Sequence, residues 1–309
     1  MRAVVIRSFG GPEVLEVADV PEPHAGLGQV RIRVAAAAVN PVDVGTRVGA
    51  LAGGGLMTAA DQIGLGWDVA GVVDETETVD FAVGDEVIGY SDRLNLPTKA
   101  QAEYVVLDAD AVAPAPGKDL VAASTLPLNG STAAQALDLL NLRAGQTLLV
   151  TGAAGAVGGF AVELAAARGI RVVATASADD EELVRGFGAE AFVPRDAPLS
   201  ETVRRAVPGG VDAAIDAALV SLPALDAVRG GGAFIAVVGG APMPPPLRGI
   251  RVEIVWNRAD SATLRGLSAL AARGTLTLRV ADTIPLADVV EAQERFAKGG
   301  VRGRLVLVP

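Results

Sequence analysis

The sequence contains no cysteine and one histidine, His24. Without thiols, disulfides and cysteine nucleophiles are excluded, and a single imidazole cannot assemble the Cys/His sets that usually hold zinc. Metal ligands are therefore expected to be none. Cations are also short: 26 Lys and Arg stand against 36 Asp and Glu, a formal net charge of -10. That balance repels phosphate polyanions and anionic lipid, so neither nucleic acid nor a membrane is an expected partner. Between Arg2 and Arg7 only Ala3 to Ile6 are apolar, far short of the roughly 7 to 15 residues of a signal-peptide core. A cytoplasmic protein is expected. Two uncharged stretches, 144–162 and 230–247, reach membrane-span length, but glycines break both and prolines break the second. Neither would hold a continuous spanning helix.

What is present is 309 residues, 50% of them hydrophobic, enough for two cores at about 150 residues per domain. The first third reads as β structure. Ala3 to Ile6, Val30 to Val34, Val69 to Val73, Glu86 to Gly89 and Glu103 to Leu107 are β-rich runs separated by Gly, Pro and Asp turns. From about Asp119 the rhythm changes to Ala-rich helical stretches alternating with apolar strands, the pattern of βαβ units and a parallel sheet. Strands are placed at Thr147 to Val150, Arg171 to Thr175, Ala191 to Val193, Ala213 to Ile215 and Phe234 to Val238, with another in Ile250 to Trp256. A helix follows from Ser261 to Ala272, then β character at Leu276 to Val280 and Leu305 to Val308 around a helix near 286–298.

The strongest chemical signal is QTLLVTGAAGAVGGFAVELAAARG, a strand, a glycine turn and a helix, followed by the strand IRVVATAS. Gly152, Gly155 and Gly158 mark where a tight turn, a close backbone approach to pyrophosphate and close helix packing each exclude a Cβ. Ala153, Ala154, Ala156 and Val157 are small enough to leave room for the dinucleotide. Glycines also end strands without any ligand; the flanking strand and helix make dinucleotide binding the preferred reading.

Across nearly its whole length the chain resembles the zinc-independent, zeta-crystallin-like quinone oxidoreductases of the medium-chain dehydrogenase/reductase superfamily. The matching segments are MRAVVIRSFGGPEVLEV, VRIRVAAAAVNPVDVGTR, GWDVAGVV, VGDEVIG, AEYVVLDAD, LPLNGSTAAQAL, TGAAGAVGG and VRGRLVLVP. The resemblance implies an α/β protein in which a Rossmann doubly wound parallel sheet, 119–257, is inserted into a GroES-like β-rich substrate domain, 1–118 and 258–309. It further implies metal-free reduction of quinones or related conjugated carbonyls by NADPH, typically in a dimer or tetramer; a homodimer is expected. Alternatives are an enoyl-thioester or alkenal reductase and a non-catalytic NADPH-binding protein. The chain departs from the family at Leu65, often proline, at the loop PTKAQ, and near Asp180 to Glu182, often basic.

Asn40, Pro41 and Asp43 suit a helix start in which Asn caps, Pro leads and Asp reaches back. The resemblance places Asn40 beside the nicotinamide, and Asn40 and Asp43 are the candidate catalytic residues. Arg47, four residues after Asp43, is the expected helical ion-pair partner. Thr132 lies where the family contacts the nicotinamide end, although a hydroxyl satisfied by its own helix is the rival explanation. Asp68 reads as a structural carboxylate and His24 as a solvated loop residue. Val238 and Gly239 complete the expected cofactor set.

Cofactor choice in such a domain is set about 20 positions after the first glycine, where an acid binds the ribose 2′-hydroxyl. Here that strand ends in neutral Ala176 and Ser177, and Arg195 follows the neighbouring strand. Ser177 and Arg195 are therefore expected to favour NADPH, against the local acids Asp179 to Glu182. Ile254 and Trp256, costly to expose on a sheet edge, point to dimerisation there.

Overall fold

The computed structural model describes residues 1–237 and 243–309. The chain divides into two compact units. One comprises Met1–Leu128, Arg258–Arg273 and Leu278–Pro309, the other Asn129–Asn257 and Gly274–Thr277.

The first unit begins with β1 (Arg2–Ile6), β2 (Glu16–Asp19), β3 (Gln29–Ala38), β4 (Ile63–Gly64), β5 (Asp68–Thr76), β6 (Glu86–Tyr90), β7 (Tyr104–Asp108) and β8 (Val112–Pro114). The second unit carries β9 (Thr147–Thr151), β10 (Arg171–Ala176), β11 (Ala191–Pro194), β12 (Val211–Asp216), β13 (Val228–Ala236) and β14 (Arg251–Ile254). The first unit then resumes with the helix Ser261–Ala272, β15 (Val280–Pro285), the helix Val289–Lys298 and β16 (Arg304–Val308).

In the first unit the order β15-β16-β3-β5-β6-β8 forms the main sheet, with β7 also paired to β3. Alternation in β3 sets its inward face, because Val30, Ile32 and Val34 are buried while Arg33 is exposed. They pack with Val69, Val73, Val87 and Leu107 into one core. A smaller sheet, β2-β1-β4, shares a second core in which Val4 and Ile6 meet Leu305 and Leu307.

The second unit is a parallel sheet in the order β11-β10-β9-β12-β13-β14. Its central strands β9 and β10 are buried almost throughout, as expected when helices cover both faces. Order reverses between β9 and β10 on one side and β12 on the other, so the ends of these strands form the switch point where ligands sit in open α/β sheets.

The expected α/β architecture is thus what the structure shows, with two differences along the chain. The first unit runs to Leu128, within the first turn of the helix Pro127–Leu140, rather than to 118. Leu276 to Val280 is not a strand: Gly274–Thr277 belongs to the second unit, where the Thr277 N–H donates to both oxygens of the buried Glu163, 3.1 Å each. The strand begins at Val280, where parallel pairing with β16 becomes available.

Candidate functional site

At the end of β9 the chain turns through Gly152, whose φ of +62° is a conformation that only glycine adopts freely. The helix Ala156–Ala167 follows, capped by Gly155. Three glycines here have different tasks. A Cβ on Gly158 would lie 2.2 Å from the Gly152 carbonyl oxygen, so Gly158 lets the helix pack on the turn. A Cβ on Gly155 meets only the Gly152 oxygen, at 3.1 Å, and Gly155 itself is exposed. Apart from that one tight backbone contact, its missing side chain leaves open space.

That space belongs to a cavity of about 660 Å³ lined by Gly152, Ala154 and Gly155 from the turn, Thr175 and Ala176 from β10, Ser177 just after it, and Arg195. Asp180, Glu201 and the wall Ala217, Ala218 and Val220 complete much of it. Two observations suit it to a dinucleotide. The helix start presents N–H groups to an anion, and the Thr175 Oγ1, on a residue only 4% exposed, has no hydrogen-bond partner among the described residues. A buried hydroxyl left unpaired is costly unless a ligand completes it.

Ser177 occupies the cap of the short turn Ala178–Asp180 without a side-chain capping bond. Arg195 is fixed beside it by donating its N–H to the Ala176 carbonyl at 2.8 Å. The structure therefore brings Ser177 and Arg195 together on the cavity, along with Asp180 and Glu201. Ala153, Ala156, Val157 and Gly158 flank the turn. Thr132 accepts a hydrogen bond from Asn257 Nδ2 at 2.9 Å, which the sequence did not foreshadow. Val238 and Gly239 lie outside the described residues.

The first unit contains a second polar assembly, and it is buried. Asp43 sits in the helix Pro41–Arg47 and accepts from the Asn40 N–H at 2.7 Å, as a helix start of this kind requires. Its other oxygen accepts from the Gly66 N–H at 3.0 Å. The Asn40 carboxamide turns to Asp68, donating from Nδ2 at 2.7 Å, while Asp68 also accepts from the Leu128 N–H at 2.6 Å. The expected Asp43–Arg47 pair is not formed. Arg47 donates to Gln293 at 2.6 Å and to the Gly10 carbonyl at 2.7 Å, because Asp43 faces inward and Arg47 faces the helix Val289–Lys298.

Sequence reasoning missed Lys99. Only 2% exposed, it donates to the carbonyls of Arg93 at 2.9 Å and Ser91 at 3.3 Å, with its ammonium over the Trp67 ring. Burial pulls it down to about 7, against the pull of Asp43 and Asp92. Burial likewise pushes Asp43 up to about 6, opposed by the Asn40 and Gly66 N–H groups and by Lys99, and Asp68 up to about 7, opposed by Leu128 and Asn40. Buried Arg304 is lowered to about 10 by desolvation. Burial thus brings Lys99, Asp43 and Asp68 toward neutrality, the carboxyls from below and the ammonium from above. A lysine in the polar loop PTKAQ carries no local signal of burial; long-range packing puts it there.

His24 contacts Glu75 at 3.2 Å on the surface, a loop position. Tyr90 donates to the Arg258 carbonyl and the Tyr104 ring lies 5.2 Å from the Arg31 guanidinium.

A β-rich unit drawn from residues on both sides of 129–257 in the sequence, and a parallel sheet with a glycine turn formed by the residues between, define the medium-chain dehydrogenase/reductase class. Family models agree: residues 26–117 match the alcohol dehydrogenase GroES-like domain and 187–307 match zinc-binding dehydrogenase. Human quinone oxidoreductase is 30% identical, aligning over 100% of this chain and 98% of the relative. An NADPH-dependent alkenal/one oxidoreductase of Arabidopsis thaliana is 33% identical over 80% of the chain, which spans 65% of that relative's length. The solved quinone oxidoreductase of Coxiella burnetii superposes with a TM-score of 0.86 at 28% identity, covering 100% of this chain and 99% of the other. A solved NAD-dependent alcohol dehydrogenase gives 0.88 at 29%, covering both chains fully. The chain belongs to the quinone oxidoreductase family of that superfamily, and so to a family of oxidoreductases.

The zinc named by one family model does not fit the residues present. There is no cysteine, no group of three or more His, Asp or Glu that could hold a metal occurs among the described residues, and Asp43 and Asp68 are already engaged by N–H donors. No helix among the described residues is long and apolar enough to cross a membrane.

Proposed function

We propose that this chain is a metal-independent NADPH-dependent reductase of quinones or related conjugated carbonyls. The observation that carries the reading is the cavity at the glycine turn, with an unpaired buried hydroxyl on Thr175 and a cation, Arg195, at its side. When bound, NADPH supplies the hydride, and the acceptor takes it with one proton.

In this reading the backbone of 152–157 and the helix start bind the pyrophosphate. Thr175 and Ser177 hydrogen-bond the adenosine ribose, and Arg195 faces its 2′-phosphate. Thr132, held by Asn257, orients the nicotinamide end, and Val238 and Gly239 contribute to the same set. Asn40 is read as the group beside the ring, its carboxamide fixed by Asp68. Asp43 holds Asn40 by its backbone. Reduction of an electron-poor conjugated system needs mainly donor and acceptor positioning, because the developing charge is delocalised in the product.

The alkenal/one reductase among the relatives favours a second acceptor class, α,β-unsaturated carbonyls, for the same site. NADPH oxidation measured against quinones, enones, alkenals and enoyl thioesters, with and without chelator, separates these. Turnover with at least one acceptor, unaffected by chelator, is expected. Absence of turnover with all four, alongside tight NADPH binding, would leave a non-catalytic binding protein. The protein is further proposed to be a homodimer joined at the β14 edge, where Trp256 is 63% exposed.

A further inference from the structure

Asp216 ends β12 and is buried. Its Oδ1 accepts from Thr151 Oγ1 at 2.6 Å and from the N–H groups of Ala218 at 3.3 Å and Val220 at 3.1 Å; its Oδ2 accepts from the Ser221 N–H at 2.8 Å. Thr151 Oγ1 in turn accepts from the N–H groups of Ala217 at 3.0 Å and Ala218 at 3.1 Å. One carboxylate and one hydroxyl therefore gather the amides of Ala217, Ala218, Val220 and Ser221.

That loop is strained. Leu219 has a φ of +57° and Ser221 of +60°, positions that L side chains rarely adopt. Leu219 is half exposed, so side-chain packing does not hold it there. Such conformations persist where the surroundings over-determine them, and here the bonds to Asp216 stand on both sides of Leu219. The loop also abuts the glycine turn: a Cβ on Gly152 would lie 3.1 Å from both the Ala217 carbonyl oxygen and the Ala218 Cβ. Ala217, Ala218 and Val220 then line the same cavity as Gly155 and Thr175.

We propose that Asp216 and Thr151 are positioning residues for the dinucleotide, holding the 217–221 loop in the strained shape that forms one wall of its cavity. The pair touches no ligand atom; it acts through the loop. The proposal rests on the reading of that cavity as the NADPH site.

The test measures NADPH dissociation constants by calorimetry, without acceptor, together with melting temperature and amide exchange. Asp216→Asn replaces one accepting oxygen with an NH2 group that cannot accept, so affinity should fall about tenfold or more while circular dichroism is unchanged. Exchange at 218–221 should accelerate. Thr151→Val should weaken binding similarly and Thr151→Ser should not. The decisive variant is Leu219→Gly, which removes the strain at that position and leaves that of Ser221: combined with Asp216→Asn it should recover affinity to within about threefold of Leu219→Gly alone. Wild-type affinity in folded Asp216→Asn or Thr151→Val, or no recovery in the double variant, overturns the proposal alone. A wild-type protein that binds neither NADPH nor NADH overturns the cavity reading as well. Should Asp216→Asn not fold, the Thr151→Val and Thr151→Ser comparison decides.

Discussion

The Lys99 ammonium stands 3.7 Å from the centre of the Trp67 ring, and both side chains are buried. Desolvation lowers Lys99 from 10.5 to about 7. Between those values the unfolded chain holds a proton that the folded chain has released, so stability rises with pH through this window and the burial penalty is complete below about 7. Lys99→Met should therefore gain on the wild type as pH falls from 10 to 6 in urea unfolding. In a Trp256→Phe background, Trp67 emission should titrate near pH 7 and become flat in Lys99→Met. A flat wild-type profile would show that the ammonium does not titrate beside the ring.

Asp68 runs the other way. Burial raises it from 3.8 to about 7, so its contribution is complete below 3.8 and lost as pH rises through about 7. Asp68→Asn removes that slope but turns an NH2 group toward the Asn40 donor, costing about 1 kcal/mol at every pH. The variant should compare better with the wild type at pH 8 than at pH 5 by denaturant midpoint. Equal differences at both pH values would contradict the raised carboxyl.

The two glycines of the turn should separate binding from folding. Gly155→Val places its side chain in the cavity and should abolish NADPH binding, at a smaller cost in melting temperature than Gly158→Val because its Cβ meets one atom at 3.1 Å. Gly158→Val drives a Cβ to 2.2 Å from the Gly152 oxygen and should destabilise by several kcal/mol. A folded Gly155→Val protein with unaltered NADPH fluorescence titration would remove the motif assignment.

Arg195 is the cation on a cavity that also carries Asp180 and Glu201. Arg195→Ala should lower the NADPH to NADH ratio of kcat/KM by about tenfold, the scale of one charge-assisted hydrogen bond. An unchanged ratio would place the discrimination elsewhere.

Among the described residues β14 pairs only with β13, leaving Arg251–Ile254 as a sheet edge beside exposed Trp256. Light scattering at micromolar concentration should give a dimer, and Trp256→Asp should shift it toward monomer. A wild-type monomer would exclude the interface.

The elements that the sequence revealed are those with a local cause. Strand alternation marked β3, an apolar run marked β9, and Gly152 with the following helix marked the turn, each within a few residues. Asp43 reaching back to Asn40 was legible for the same reason. Lys99, Asp216 and the orphaned Thr175 hydroxyl were not, because their roles come from partners brought together by the sheets. Arg47 was misjudged because helical spacing alone ignores Gln293, which only the folded chain brings to it.

Antiparallel pairing of β16 with β3, Val306 to Ala38 and Leu307 to Ala37, sets the order in which the molecule can be made. During synthesis β3 emerges well before β16, because the whole parallel sheet, β9 to β14, lies between them in the sequence. The parallel sheet of 129–257 is complete in the meantime and can fold as a unit. Until β16 emerges, the core that holds Val4 and Ile6 lacks Leu305 and Leu307. Closure of the second core of the β-rich unit thus waits for β16, a long-range pairing that is slow by its topology, and nascent chains stalled before residue 304 would lack that part of the unit.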